Sequence, residues 1–163
     1  MGVSSSGKST VGRPLAGRLG VPFAEADDFH PAANIAKMSQ GHPLTDRDRW
    51  PWLRAIAGWI HEHQDGGGVV TCSALKRAYR DVLRENNPGT WFLHLAGLPD
   101  LITDRSSHRQ GHFMPASLVA SQFADLEPLG PDEPGQVLSV ELPLDEIVDR
   151  AAQGAREYGE VVR

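Results

Sequence analysis

Residues 2–9 read GVSSSGKS, the spacing G-x-x-x-x-G-K-[ST]. No other stretch limits the fold so tightly. Glycines let backbone N–H groups converge on an anion with no Cβ in the way. A helix starting at the lysine turns its free N–H groups and the positive end of its dipole to the same point. Such a loop hangs from the end of a buried strand, yet only Met1 stands ahead of Gly2. The helix itself is legible: residues 8–19 carry Val11, Leu15 and Leu19 at helical spacing, and Gly20 is a stop. Pro14 lies inside that pattern, removes one backbone donor and is expected to kink or loosen the helix.

Behind it, strands and helices alternate. VPFAEA (21–26), VVTC (69–72), WFLHL (91–95) and QVLSVEL (136–142) read as strands. Helices are expected near Pro31, over 46–63 with Asp46 as cap, and over 74–85, 99–109 and 115–127. A last one opens on Pro143 as an N1 proline. This order predicts an α/β fold, a parallel sheet flanked by helices. The usual first strand is missing from the chain. Truncation, a start assigned too late, or a replacement by another segment would each account for it. A length of 163 residues fits a single domain spanning 1–163.

The net charge of −5 argues against a basic nucleic-acid surface. One cysteine, Cys72, excludes an internal disulfide and fits a reducing compartment. There is no apolar run of bilayer length and no signal-peptide pattern, so a cytoplasmic protein without membrane contact is expected. The histidine pairs 61/63 and 108/112 lack the carboxylate of H-E-x-x-H, which argues against zinc. Trp50 and Trp52 read as packing rather than a stacking platform.

Chemistry concentrates at strand-to-helix turns. Gly2, Val3, Ser4, Ser5, Ser6, Gly7, Lys8, Ser9 and Thr10 form the candidate cradle for ATP. Lys8 would reach the β- and γ-phosphates, and the Ser9 hydroxyl would hold Mg²⁺. The competing reading is a flexible Ser/Gly-rich terminus that matches by chance. Asp27, Asp28 and His30 follow the strand at 21–26, where carboxyl ends of strands line a ligand crevice. Asp27 is the favoured proton acceptor, and Asp28 is left to capping or solvent. Ser73, Lys76 and Arg80 fall at i, i+3 and i+7 and suit an anionic substrate, or else a solvated basic face. Arg105 and Arg109, followed by Gly111, suit a closing lid around residues 105–125, or else a basic helix end.

Taken together, GVSSSGKST, DDFHPAANIAKMSQGHPLTDRDRWPWL, CSALKRAYRDVLR and GHFMPASLVASQFADLEPL resemble the bacterial gluconokinases, small P-loop kinases related in fold to shikimate and adenylate kinases. The likeness runs from Gly2 to about Pro143. It implies a P-loop kinase fold and transfer of the ATP γ-phosphoryl group to D-gluconate, with Mg²⁺, in the cytoplasm and often in a homodimer. It implies phosphate-side roles for Gly2–Thr10, catalytic roles for Lys8, Asp27, Arg105 and Arg109, and substrate contacts from Asp27, His30, Lys76 and Arg80. The chain departs from the family pattern in its absent leading strand, in serine at position 5 where glycine is usual, and in Pro14. All three departures bear on the nucleotide cradle. The other readings are a kinase of another small sugar acid or polyol, and a binding protein with an impaired cradle.

Overall fold

The expected alternation is present, but the sheet it builds is divided. The structure is a computed structural model that describes residues 1–108 and 116–161, leaving aside the side chains of 116–118. In order come α1 (Lys8–Leu19), β1 (Phe23–Glu25), a 3₁₀ turn (Ala26–Phe29), α2 (Ala32–Ser39), α3 (Asp46–Glu62) and β2 (Val69–Thr71). Then follow α4 (Arg77–Arg84), β3 (Phe92–Ala96), α5 (Pro99–Ser107), α6 (Ala116–Asp125), β4 (Gly135–Ser139) and α7 (Leu144–Val161). β1 pairs with β2 in parallel, Phe23 opposite Val69. β3 pairs with β4 in parallel, Phe92 opposite Gly135. Among the described residues no ladder joins β2 to β3.

Between β2 and β3 runs a slot of about 790 Å³, walled by Val11, Leu15, Val70, Phe92 and Leu93 among others. Met1 closes one end of it. Its ammonium donates to the Leu93 carbonyl, and its carbonyl accepts the Leu95 N–H at 3.0 Å. Gly2 N–H donates across the gap to the Ser73 carbonyl at 3.1 Å. Two residues therefore bond like the end of a central strand. Among the described residues, no other segment replaces the rest of it. The buried Met1 amine is pushed down to about 5, first by burial and then by the Lys8 charge.

α1 holds the two half-sheets together, packing on both β2 and α7. From its buried face, Val11 and Leu15 join Leu95, Leu138, Ile147 and Val148 in one core. A second core gathers Trp52, Leu53, Ile56, Tyr79 and Leu83 beneath β1 and β2. Burial explains why α1 continues through Pro14 rather than breaking there: the ring sits on the exposed face, and the packed face opposite keeps the helix in place. Two expected helix starts shift. Thr45, not Asp46, caps α3, in a reciprocal capping box with Asp48. α4 begins at Arg77, because Ala74 takes φ +45° and turns the chain out of helix. Ser73 therefore lies before α4 and shares no helix face with Lys76 and Arg80. Among the described residues no helix is long and apolar enough to cross a membrane.

Candidate active site

The phosphate side is assembled from the loop 2–7 and the open end of α1. Gly7 precedes α1 at φ +88°, no side chain caps the helix, and its first turn holds no acid. The positive end of the helix dipole therefore meets the loop with no side-chain cap from Gly7 between them. Gly2 approaches β3 so closely that a Cβ there would lie 2.8 Å from the Leu95 carbonyl oxygen. Ser5 takes φ +62°, the left-handed region that glycine enters without strain. The family's preference for glycine at this position thus has a backbone cause. Lys8 curls over the loop, and its Nζ donates to the carbonyls of Gly2 (3.0 Å) and Val3 (2.8 Å). The buried Ser6 hydroxyl has no partner among the described residues. A helix start without a side-chain cap, a folded lysine and an unpaired buried hydroxyl together fit a polyphosphate.

Ser9 Oγ donates to Glu25 Oε2 at 3.0 Å, and Thr71 Oγ1 donates to the same oxygen at 2.6 Å. Arg13 holds the other oxygen at 3.0 Å. Glu25, the last residue of β1, therefore faces the helix start, a role the sequence reading did not give it. A hydroxyl beside a carboxylate is a hard-oxygen set suited to Mg²⁺, which takes few protein ligands and keeps several waters. Among the described residues no group of three or more His, Cys, Asp or Glu could hold a metal.

A second group of candidates begins at the 3₁₀ turn. Trp52 of α3 donates from Nε1 to the Ala26 carbonyl at 2.7 Å and stacks on the His30 ring at 4.5 Å, 9° from parallel. The turn bearing Asp27 and Asp28 is thus pinned, and both carboxylates are exposed. Neither caps α2, which starts after Pro31 without a side-chain cap. Burial lowers the pKa of His30, against the pull of the Asp27 carboxylate. The imidazole is therefore held toward its neutral form, able both to donate to and to accept from a hydroxyl.

Lys76 stands at the N-terminus of α4, 3.5 Å from Asp46 and 3.7 Å from Asp125 of α6. Burial works against its charge, but Tyr79, Asp125 and Asp46 outweigh it and raise the ammonium above the usual lysine value. Asp46 accepts the Tyr79 hydroxyl at 2.5 Å, which chiefly holds its carboxyl below the ordinary range. Lys37 binds Asp48 at 2.5 Å and ties α2 to the start of α3.

No protein-family model matches the chain. Individual relatives do. The chain is 52% identical over 136 residues to the gluconokinase of Gluconobacter oxydans, covering 82% of this chain and 76% of the relative. It is 42% identical over 151 residues to the thermoresistant gluconokinase of Escherichia coli, covering 91% and 86%. The chain belongs to the gluconokinase family. Solved structures agree. A sugar kinase from Janibacter superposes with a TM-score of 0.88 at 52% identity, covering 96% of this chain and 91% of that one. A gluconokinase from Sinorhizobium meliloti gives 0.85 at 46% identity, covering 99% and 92%. The chain is thus an ATP-dependent small-molecule phosphotransferase with the P-loop sugar-kinase fold, built on parallel strands flanked by helices, and its homology supports a sugar-acid kinase.

Within this gluconokinase-family fold, the site residues proposed from sequence do not all gather. Of the sequence candidates, residues 2–10 form the loop and the start of α1, Asp27 and His30 stand on the 3₁₀ turn and at its end, and Lys76 stands on the turn before α4. Arg80 goes elsewhere. Its guanidinium is fully buried and pairs with Glu133 at 2.5 Å, while Nη1 also reaches the carbonyls of Ala74, Leu75 and Glu127. It builds the floor beneath Lys76 and has no donor facing the crevice. Arg105 donates to the Val140 carbonyl at 3.0 Å, at the end of β4. Arg109 lies outside the described residues. The sequence reading also passed over Gln122 of α6, which accepts the Ser4 N–H at 2.6 Å. A contact across 118 residues has no local signature.

Proposed function

We propose that the chain transfers the γ-phosphoryl group of ATP to the terminal hydroxyl of D-gluconate, giving 6-phospho-D-gluconate and ADP. The observation that supports this reading best is the set of polar groups held on the turns at 26–30 and 76. It comprises a lysine ammonium, a neutral-leaning imidazole and an exposed carboxylate. A linear polyol with one carboxylate needs that combination: a cation for its charge, and polar groups for its hydroxyls.

In this reading Lys76 takes the acceptor's carboxylate and His30 orients hydroxyls. Asp27 accepts the proton of the attacking hydroxyl as the new O–P bond forms and the bond to the ADP oxygen breaks. Lys8 leaves the loop carbonyls and turns its charge on the transferring group. Gly2–Thr10 supply backbone donors. Ser9, with Glu25 behind it, holds Mg²⁺, which supplies charge neutralisation on the phosphate oxygens. Arg105 and Arg109 contribute cations from the lid segment around 105–125 of the single domain. Arg80 acts at one remove, by fixing the backbone on which Lys76 stands.

A panel of sugar acids and polyols with coupled ADP detection tests the assignment. Gluconate should give the highest kcat/KM, and much faster turnover of another acceptor overturns it. Asp27→Asn should lower kcat roughly a hundredfold, the scale of losing a general base, with ATP binding kept. A larger loss from Asp28→Asn would move the proton to the neighbouring acid.

A further inference from the structure

α6 touches the candidate site twice. Near its middle the Gln122 amide oxygen takes the Ser4 N–H at 2.6 Å, and Gln122 Nε2 lies 3.4 Å from Ser4 Oγ. Three residues on, Asp125 reaches Lys76 at 3.7 Å. Positions i and i+3 share a helix face, so one face meets both the phosphate loop and the acceptor cation. The helix is seated rather than floating: Val119 is 1% exposed, and Phe123 packs on the same core as Val3. The chemistry at the two contacts differs in a telling way. At the loop stands a neutral amide, which accepts an N–H without placing negative charge beside a phosphate site. At Lys76 stands a carboxylate, with Asp46 at 3.5 Å beside it, and an anionic acceptor would compete with both.

We propose that Gln122 is a positioning residue that ties the phosphate loop to Lys76 through α6, so that the Lys76–Asp125 pair sets how the loop is held and hence its nucleotide affinity. This rests on reading the loop as the nucleotide cradle and Lys76 as the acceptor's cation. Coupling of this kind is reciprocal: an acceptor that takes Lys76 from Asp125 alters nucleotide affinity, and nucleotide alters acceptor affinity by the same factor.

The test is a double-mutant cycle on the full chain: Gln122→Ala, Asp125→Asn and the double variant, titrated with a non-hydrolysable ATP analogue and Mg²⁺ in the absence of acceptor. Asp125→Asn should change the analogue's Kd about threefold or more when Gln122 is present, and leave it nearly unchanged in the Gln122→Ala background. Melting curves without nucleotide identify variants that merely lose stability; a purely structural Gln122 would shift those curves and leave the cycle additive. Equal fold-changes in both backgrounds overturn the tie. An analogue that fails to bind the unaltered chain overturns the cradle reading and the tie together. Gluconate titrated separately tests the acceptor reading alone: no binding there, with a non-additive cycle, removes gluconate and keeps the tie.

Discussion

Asp27 and Gly2 belong to two parts of the candidate site, and they are anchored very differently. Asp27 rides a turn fixed by the β1–β2 ladder, by the Trp52 hydrogen bond and by the stack of Trp52 on His30. Behind it, α3 and α4 share a closed core, and Arg80 is saturated. Gly2 follows one residue whose backbone bonds to β3, beside an open slot. The turn at Asp27 is over-determined, whereas the loop at Gly2 depends on α1 and a stub of strand. The contrast shows that a site's precision is inherited from whatever lies behind each of its parts.

The comparison can be broken most forcefully by filling the slot. Extending the chain ahead of Met1 by a Val/Ile-rich strand of about five residues should pair both free edges. It should also bury several apolar side chains at about 1.5–3 kcal/mol each. Melting temperature and ATP affinity should both rise. Equal values for the two chains would mean that the loop does not need a strand behind it.

The converse experiment weakens the better-anchored part. Arg80→Met leaves the Glu133 carboxylate, 2% exposed, with only the Gly130 N–H at 2.8 Å and Arg77 at 3.9 Å, and should cost about 3 kcal/mol in denaturant unfolding. Hydrogen bonds from Arg80 chiefly hold the Glu133 carboxyl below the ordinary carboxylate range. Its stabilising contribution is therefore complete above that range and is lost as pH falls through the lowered value. The variant should lack that loss on the acid side. An unchanged acid limb would place the stabilisation elsewhere.

Lys8→Ala separates chemistry from scaffold. It should reduce kcat about a hundredfold or more while the melting temperature stays close to that of the unaltered chain. Undiminished turnover would show that the loop match is accidental. The smallest effect is expected from Ser5→Gly. Relief of left-handed strain is offset by a freer unfolded chain, leaving a gain below about 1 kcal/mol. A loss in the denaturant midpoint would mean that the Ser5 side chain makes contacts that outweigh its strain.

Much of this was legible in the chain. Strand and helix alternation is a periodic property, and each expected element appears within a few residues of its place. The gap between β2 and β3 was foreseeable because the loop motif calls for a strand ahead of Gly2. The shifted helix starts were not, because they turn on single backbone angles such as φ at Ala74 and on a reciprocal bond between Thr45 and Asp48. The position of Lys76 at a strand-to-helix turn was legible. That of Arg80 was not, because its partner Glu133 lies 53 residues away and no local pattern distinguishes a buried arginine from a binding one. Glu25 and Gln122 were missed for related reasons: one was hidden among three acids within four residues, the other is distant in sequence.

The slot has a further consequence for how the protein breathes. Each half-sheet carries its own parallel pair, and α1 is the helix that packs on both β2 and α7. Amide protons on the edges of Val69–Thr71 and Phe92–Leu95 that face the slot should therefore exchange with solvent through local opening, well before the molecule unfolds as a whole. The amides of α3, closed in their own core, should exchange only near the global limit. A ligand seated on the N-terminus of α1 would slow exchange on both edges at once, because it tightens the helix that spans them. The seam would thus report occupancy of the phosphate loop from inside the sheet, at protons that no ligand touches.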